Sequence, residues 1–377
     1  MSLAKESRRI YLDHAATTPP DPAVIDAIAD CMRSCYANPS AAYSAAGPAR
    51  RLMRTARETL SGMIGCDRNE LFFTSGGTEA NNWAFCGLEG RHVVVSAIEH
   101  SSVLEAAAKQ GCRITLIKPD QNGVIQPYAV EKAIEANTAL ISVQYVNNET
   151  GVLQPVSSIG RLARSRRILF HCDAVQAFGH IPFSVREIAA DLLSVSAHKL
   201  YGPRGIGFLY IRSGVALPPL LAGGGQENGR RSGTENVAAM EGFRVAAELA
   251  SNDLKSRAER ERRLLEQLIG RITGSIPGAQ VLGGGAERAP GLCALLLPGL
   301  SSETAIARLD LQGIMVSGGA ACAASSGHPS HVYRAMGLTE QEAGCILRFS
   351  SGRHTTPDEI DTAAEALITI WKEHHQS

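Results

Sequence analysis

Short runs of apolar and β-branched residues alternate with longer stretches of helical periodicity over the first two-thirds of the chain. Strand-like runs fall at residues 71–74, 92–97, 113–117, 139–146, 168–172, 192–196 and 207–211. Helical patterns fall at 21–35, 49–64, 78–87, 102–109, 127–136 and 156–165. Strands separated by helices need crossover connections, and such units pack as parallel neighbours with their helices on the faces. The expected fold class is therefore α/β, a large domain with a mostly parallel sheet flanked by helices.

The pattern then changes. Residues 234–276 read as one long, charged helical run, and new strand-like runs follow at 279–282 and 291–297. This break predicts a second, smaller α+β domain, with 16–259 forming the large domain and 1–15 with 260–377 forming the small one. A chain of 377 residues suits that division, because single cores stop growing beyond ~250–300 residues. At the end, Ile360, Ala364, Leu367, Ile368 and Trp371 share one face of a closing amphipathic helix over 357–375.

Lys and Arg total 37, as do Asp and Glu, so the formal net charge is zero. That excludes the bulk positive field on which direct, tight nucleic-acid or membrane-surface binding relies. No apolar run approaches the ~20 residues of a membrane span, and MSLAKESRRI lacks the apolar core of a signal peptide. The expected location is cytoplasmic. Nine scattered cysteines without a CxxC pair argue against a disulfide framework or a four-thiolate zinc site. No metal is expected, and a special cysteine must be found by its neighbours.

Open α/β sheets bind ligands beyond the carboxyl ends of their strands. Four inner strands end in polar or ionisable groups: Glu99-His100, Asn147-Asn148-Glu149, Asp173 with Gln176, and Ser196 with His198-Lys199. Singly, His100 reads equally well as a satisfied core histidine, Asp173 as a cap and Lys199 as a surface lysine. Converging, they describe a site. Lys199 can form a Schiff base with an aldehyde. Asp173 can pair with a protonated pyridine nitrogen, and His100 offers a flat ring for stacking. Ser75-Gly76-Gly77-Thr78 is a small-residue turn opening a helix, where backbone N–H groups hold phosphate. These are the requirements of pyridoxal 5'-phosphate.

The motifs YLDHAATTP at 11–19, FTSGGTEANN at 73–82, EHSSV at 99–103, VNNETG at 146–151, HCDAVQ at 171–176, SAHKLYGPRG at 196–205, RRSGTENV at 230–237, GAACAAS at 319–325 and LRFSSGRHTT at 347–356 occur in this order. Together the chain resembles the cysteine desulfurases, pyridoxal-phosphate enzymes of transferase fold type I. The resemblance implies that Lys199 holds the cofactor, His100 stacks on its ring and relays protons, and Asp173 pairs with the ring nitrogen. It puts Asn148 and Gln176 near the ring oxygen and substrate. Gly77, Thr78, Ser196 and His198 would bind phosphate, and Thr234 would reach the phosphate of the second subunit of a homodimer. Arg348, assisted by Asn38, would clamp the substrate carboxylate. Cys322, in the small domain, would take the sulfur.

The implied reaction converts L-cysteine to L-alanine, leaves a persulfide on Cys322 and delivers that sulfur to a protein acceptor for iron–sulfur assembly, tRNA thiolation or DNA sulfur modification. The alternatives on the same scaffold are a selenocysteine lyase and an aminotransferase; the latter has no use for Cys322. Two stretches depart from the family. No histidine follows Asn38-Pro39, and alanines flank Cys322 where relatives often carry hydroxyl residues.

Overall fold

The computed structural model describes residues 9–319 and 330–376. Its strands are β1 (Ile10–Tyr11), β2 (Leu71–Thr74), β3 (His92–Ser96), β4 (Arg113–Ile117), β5 (Thr138–Ser142), β6 (Leu169–Asp173), β7 (Leu192–Ser196), β8 (Gly207–Ile211), β9 (Gln280–Val281), β10 (Leu292–Leu296), β11 (Ile314–Met315) and β12 (Ile346–Ser350). Seven of them form one sheet in the order β2-β8-β7-β6-β5-β3-β4. All neighbours in it run parallel except at β8, which is antiparallel to β2 and β7. The expected mostly parallel sheet is thus present.

Every residue of β3, β7 and β8 is buried. Runs without polar alternation, such as His92-Val-Val-Val, suit strands covered on both faces. One face packs Phe73, Val94, Ile141, Phe170, Val195 and Phe208 into the largest core cluster. The other face packs Phe72, Val93, Val95, Leu140, Leu192 and Leu209 under Trp83 and Phe85.

A second core gathers Ile10 and Leu12 with Leu264, Leu268, Cys293, Leu295, Leu347, Phe349 and Leu367. The sheet β12-β10-β9, antiparallel throughout, lies between the two cores. Because side chains alternate along a strand, Cys293 and Leu295 of β10 enter the second core while Ala294 and Leu296 enter the first. On β12 the same alternation sends Leu347 and Phe349 one way and Arg348 the other. From β1 the chain crosses toward the large sheet. Asp13 bridges to Ser350, the Ala15 N–H donates to Ser350 Oγ (2.8 Å), and the Thr18 N–H donates to the His198 carbonyl (3.0 Å).

Three elements differ from expectation. The run 234–276 is two helices, Val237–Asn252 and Leu254–Ser275, broken at Asp253. Asp competes with helical hydrogen bonding, and here its carboxylate is taken up by Arg257 and Arg353. The helix at Pro127 stops at Lys132. Strand β5 stops at Ser142, after which Gln144 donates its amide N–H to Glu99 Oε1 (2.6 Å). Among the described residues no helix is long and apolar enough to cross a membrane.

Gly160 sits inside the helix Val156–Ser165, where a Cβ would overlap the Ile188 carbonyl oxygen and lie 3.0 Å from Phe170. Gly270, inside Leu254–Ser275, has nothing within 4 Å of such a Cβ. Gly270→Ala should therefore raise stability by ~0.5–1 kcal/mol through helix propensity. Gly160→Ala should lower it by ~1–3 kcal/mol through overpacking. Urea unfolding midpoints of the two variants check this; a shift in the same direction for both would refute the packing argument.

Candidate active site

A cleft of about 260 Å³ opens beyond the carboxyl ends of β5, β6 and β7. Its floor begins with Lys199, at the end of a single 3-10 turn, Ala197–Lys199, that directly follows β7. The Lys199 Nζ donates to the carbonyls of Ala15 (2.6 Å) and Ala16 (2.8 Å), so the crossing N-terminal segment fixes the amine. Gln176 is tied to the same segment through Nε2 and the Ala15 carbonyl (2.9 Å). Asp173, the last residue of β6, is buried. Its Oδ1 accepts from the Val175 N–H (2.9 Å) and its Oδ2 from Asn81 Nδ2 (2.8 Å).

Opposite stands His100, the N-cap of helix Ser101–Lys109. The Ser102 backbone N–H donates to its Nδ1 (3.1 Å), and Ser102 Oγ lies 2.8 Å from the same nitrogen. A backbone N–H only donates, so Nδ1 is unprotonated and the neutral ring carries its proton on Nε2. Burial pushes the imidazole below its usual pKa of 6.5, with Lys199 and His331 adding to the shift and Asp173 opposing it. His198 makes a 3.1 Å hydrogen bond through Nδ1 with Thr17 Oγ1 and is lowered to about 4, first by burial and then by Lys199 and Arg204.

The wall facing the sheet is Arg348, 1% exposed. Its Nη2 donates to Asp13 Oδ1 (2.6 Å) and its Nη1 to the Asn148 carbonyl (3.0 Å), while Nε has no hydrogen-bond partner among the described residues. Asn148 Oδ1, also buried, likewise has none among the described residues. At the mouth the helix Gly77–Ala84 begins after Gly76, whose φ of +151° favours glycine. The Gly77 and Thr78 N–H groups belong to the first turn, which lacks intrahelical acceptors. They share a side cup with Ser196 and His198.

Gly77, Thr78, His100, Asn148 and Asp173 thus line one cleft with Gln176, Ser196, His198, Lys199 and Arg348. Thr234 is exposed and lines a neighbouring cleft with Ser75, Gly205 and Arg231. Asn38 is exposed and does not line the cleft; its Oδ1 accepts from the Ser40 N–H (2.9 Å), closing a turn. Cys322 lies outside the described residues. Sequence reasoning missed Asp13, Asn81, Ser102 and the carbonyls of Ala15 and Ala16. The first three stand inside quoted motifs as polar residues, but their pairing is tertiary; carbonyls carry no residue-type signal at all.

A seven-stranded sheet of this order, with a lysine, a carboxylate and an imidazole at its strand ends and an arginine facing them from a second sheet, has the architecture of a class-V aminotransferase. The aminotransferase class-V family matches residues 10–362. The cysteine desulfurase IscS of Clostridium botulinum is 38% identical, over 98% of this chain and 96% of its own. Among solved structures, a NifS-like protein has a TM-score of 0.90 at 32% identity, covering 97% of this chain and 100% of its own. SspA in complex with cysteine gives 0.82 at 34% identity, covering 92% and 100%. This chain belongs to the cysteine desulfurase family of class-V aminotransferases.

His171 of β6 lies under the site, wholly buried, between Ser142 Oγ (2.8 Å) and Ser194 Oγ (3.0 Å), and burial lowers it to about 4. Its unfolded value is ~6.5. The neutral folded form therefore contributes full stability above ~6.5, and that contribution is lost as pH falls toward about 4. Glu261, raised to about 7 by burial, runs oppositely, its contribution fading as pH rises. Comparing His171→Gln with the parent chain cancels that term. The variant should lose up to ~1.4 kcal/mol per pH unit of the slope between pH ~6.5 and ~4. Equal slopes in urea titrations across that range would contradict the assignment.

Proposed function

We propose that this chain is a pyridoxal-phosphate-dependent cysteine desulfurase that converts L-cysteine to L-alanine and places the sulfur on Cys322. The observation that carries the reading is the meeting of Lys199, Asp173, His100 and Arg348 in one cleft with a small-residue cup beside it. The donor set fits the cofactor. An amine, a buried carboxylate and a flat ring converge. A Cβ on Gly77 would stand 2.8 Å from Val175, so the first turn lies close against the strand ends. Asn148 Oδ1 is buried with no hydrogen-bond partner among the described residues.

In this reading Lys199 holds the aldehyde carbon, Asp173 the ring nitrogen and His100 the ring face. Asn148 and Gln176 neighbour the ring oxygen. Gly77, Thr78, Ser196 and His198 take the phosphate, and Thr234 serves a second copy's phosphate in a homodimer. The cofactor supplies an electron sink for the carbon from which a proton is removed. Lys199, whose amine faces the cleft, would stand as the base for that proton. His100 presents Nε2–H to the cleft as a neutral donor. Arg348 takes the substrate carboxylate, with Asn38 brought in from its turn. The large domain spans 16–259; the small one, 1–15 with 260–377, brings Cys322.

Cys322 as sulfur acceptor is supported by the state of other thiols. Burial pushes Cys31 up to about 11 and Cys66 and Cys293 up to about 12, raises Cys86 and Cys112, and lifts Cys172 well above the ordinary thiol value. Thiolate is the nucleophile, so these are poor candidates. From Cys322 the sulfur passes to a protein acceptor in the cytoplasm.

Lys199→Ala should lower alanine formation from cysteine by at least ~10²-fold; near-native turnover would sink the assignment. Cys322→Ala should still bind cysteine, with a change in the visible spectrum of the holoenzyme, yet form no alanine. In the parent chain, one turnover without reductant should add one sulfur to the peptide containing Cys322. Recovery of that sulfur on Cys35 or Cys345 would show the mechanism to be wrong.

A further inference from the structure

Asn81 and Ser102 have no place in the scheme above, yet they are wholly or nearly wholly buried beside its two principal groups. Asn81 Nδ2 donates twice, to Asp173 Oδ2 (2.8 Å) and to Ser102 Oγ (2.9 Å). Since Ser102 Oγ accepts there, its own proton is free to point at His100 Nδ1, 2.8 Å away. The Asn81 carboxamide has only one tenable orientation. Turned over, it would set Oδ1 against the Asp173 carboxylate. As it stands, Oδ1 is buried without a partner among the described residues. A buried orphan acceptor is unfavourable, so this side chain gives up one hydrogen bond to keep its donor on the two others.

We propose that Asn81 and Ser102 are positioning residues that join Asp173 to His100 and hold His100 as the Nε2-protonated neutral imidazole. The proposal rests on the desulfurase reading for its purpose but not for its geometry. Nδ1 has one lone pair, and two donors of Ser102 converge on it. An imidazolium would need a proton on Nδ1, which would meet the Ser102 backbone N–H head-on and would require the Ser102 hydroxyl to turn and accept. His100 therefore has one exchangeable proton facing the cleft, on Nε2, and takes up a second only by breaking the relay. The same carboxamide orients the Asp173 carboxylate, so ring-nitrogen partner and stacking ring are set by one side chain. Among the described residues the charged or titratable groups facing His100 are Asp173 at the end of β6, Lys199 after β7 and His331 of the helix His331–Ala335, whose Nε2 bonds the Glu99 carbonyl (2.8 Å).

The test uses the full-length apo chain labelled with ¹⁵N in its imidazoles, the His100 signal being identified by its loss in His100→Gln. The parent chain should show unprotonated Nδ1 and protonated Nε2 across neutral pH, with titration below 6.5. Ser102→Ala removes one donor from Nδ1. Asn81→Ala lets Ser102 Oγ turn and accept from a protonated Nδ1. Both should move the His100 titration midpoint upward, and Ser102→Thr, which keeps the hydroxyl, should restore it. In the holoenzyme Ser102→Ala should lower kcat about tenfold with KM for cysteine within about twofold. A protonated Nδ1 in the parent chain would overturn the proposal, and so would an unchanged His100 titration in Ser102→Ala. If Asn81→Ala does not fold, the parent spectrum and the two Ser102 variants still decide the matter. Because these spectra need neither cofactor nor turnover, their failure is separate from any failure of the Lys199 and Cys322 tests.

Discussion

A sheet covered by helices on both faces leaves its side chains no water except at the strand ends. Within β3, β7 and β8 everything is buried, and an unpaired charge there would cost several kcal/mol. Polar groups inside the strands survive only neutral and paired, as His171 does between two serines. The charged residues are thereby forced to the strand ends: Arg113 opens β4 in solvent, and at the carboxyl ends Asp173 closes β6 and Lys199 follows β7 by one turn. The cleft is a consequence of the sheet's burial, and its contents follow from which residue each strand ends on.

The second half of the site comes from a different physical source. Arg348 lies on a strand whose neighbours Leu347 and Phe349 enter the second core, so the pleat alone aims its guanidinium at the large sheet. Burying a guanidinium is costly unless it is paired, and Asp13 provides the pair. Two residues further on, the turn that Asp13 opens, closed by the Ala16 N–H donating to the Asp13 carbonyl, offers the Ala15 carbonyl to Lys199, and then that of Ala16. A stretch of four residues therefore couples the position of the arginine to that of the lysine. Distortion of the segment would disturb both walls of the cleft at once.

Much of this was legible in the sequence, for reasons that differ by element. The strands at 71–74, 113–117, 192–196 and 207–211 match to the residue, because continuous β-branched and aromatic runs between polar turns leave little choice. The break at Asp253 was not legible. A charged helical run gives no warning that one aspartate will be claimed by Arg353, a hundred residues away in sequence. Asp13 stood in plain view within YLDHAATTP, but nothing local says that it meets Arg348. Asn38 shows the converse: a residue carried over from a family pattern, which in this chain holds its own turn and lies outside the cleft.

The electrostatic character of the cleft follows from its histidines being neutral. Burial lowers His100 and His198, and the nearby Lys199 reinforces both shifts. His14 and His180 behind them are lowered to about 4 in the same way. With the imidazoles uncharged, Arg348 dominates the positive field on its wall, and it stands across the cleft from Asp173. An amino acid arrives as a zwitterion. On the proposed reading its carboxylate would find one strong cationic partner in Arg348, and its amine would thereby be directed toward the strand ends that carry Lys199. Had the imidazoles been charged, the carboxylate would have had competing partners at His198 beside the small-residue cup and at His100, and the same residues would orient the substrate less strictly. On that reading, keeping histidine neutral by burial would help the site select one pose, and it needs no residue beyond those the fold already encloses.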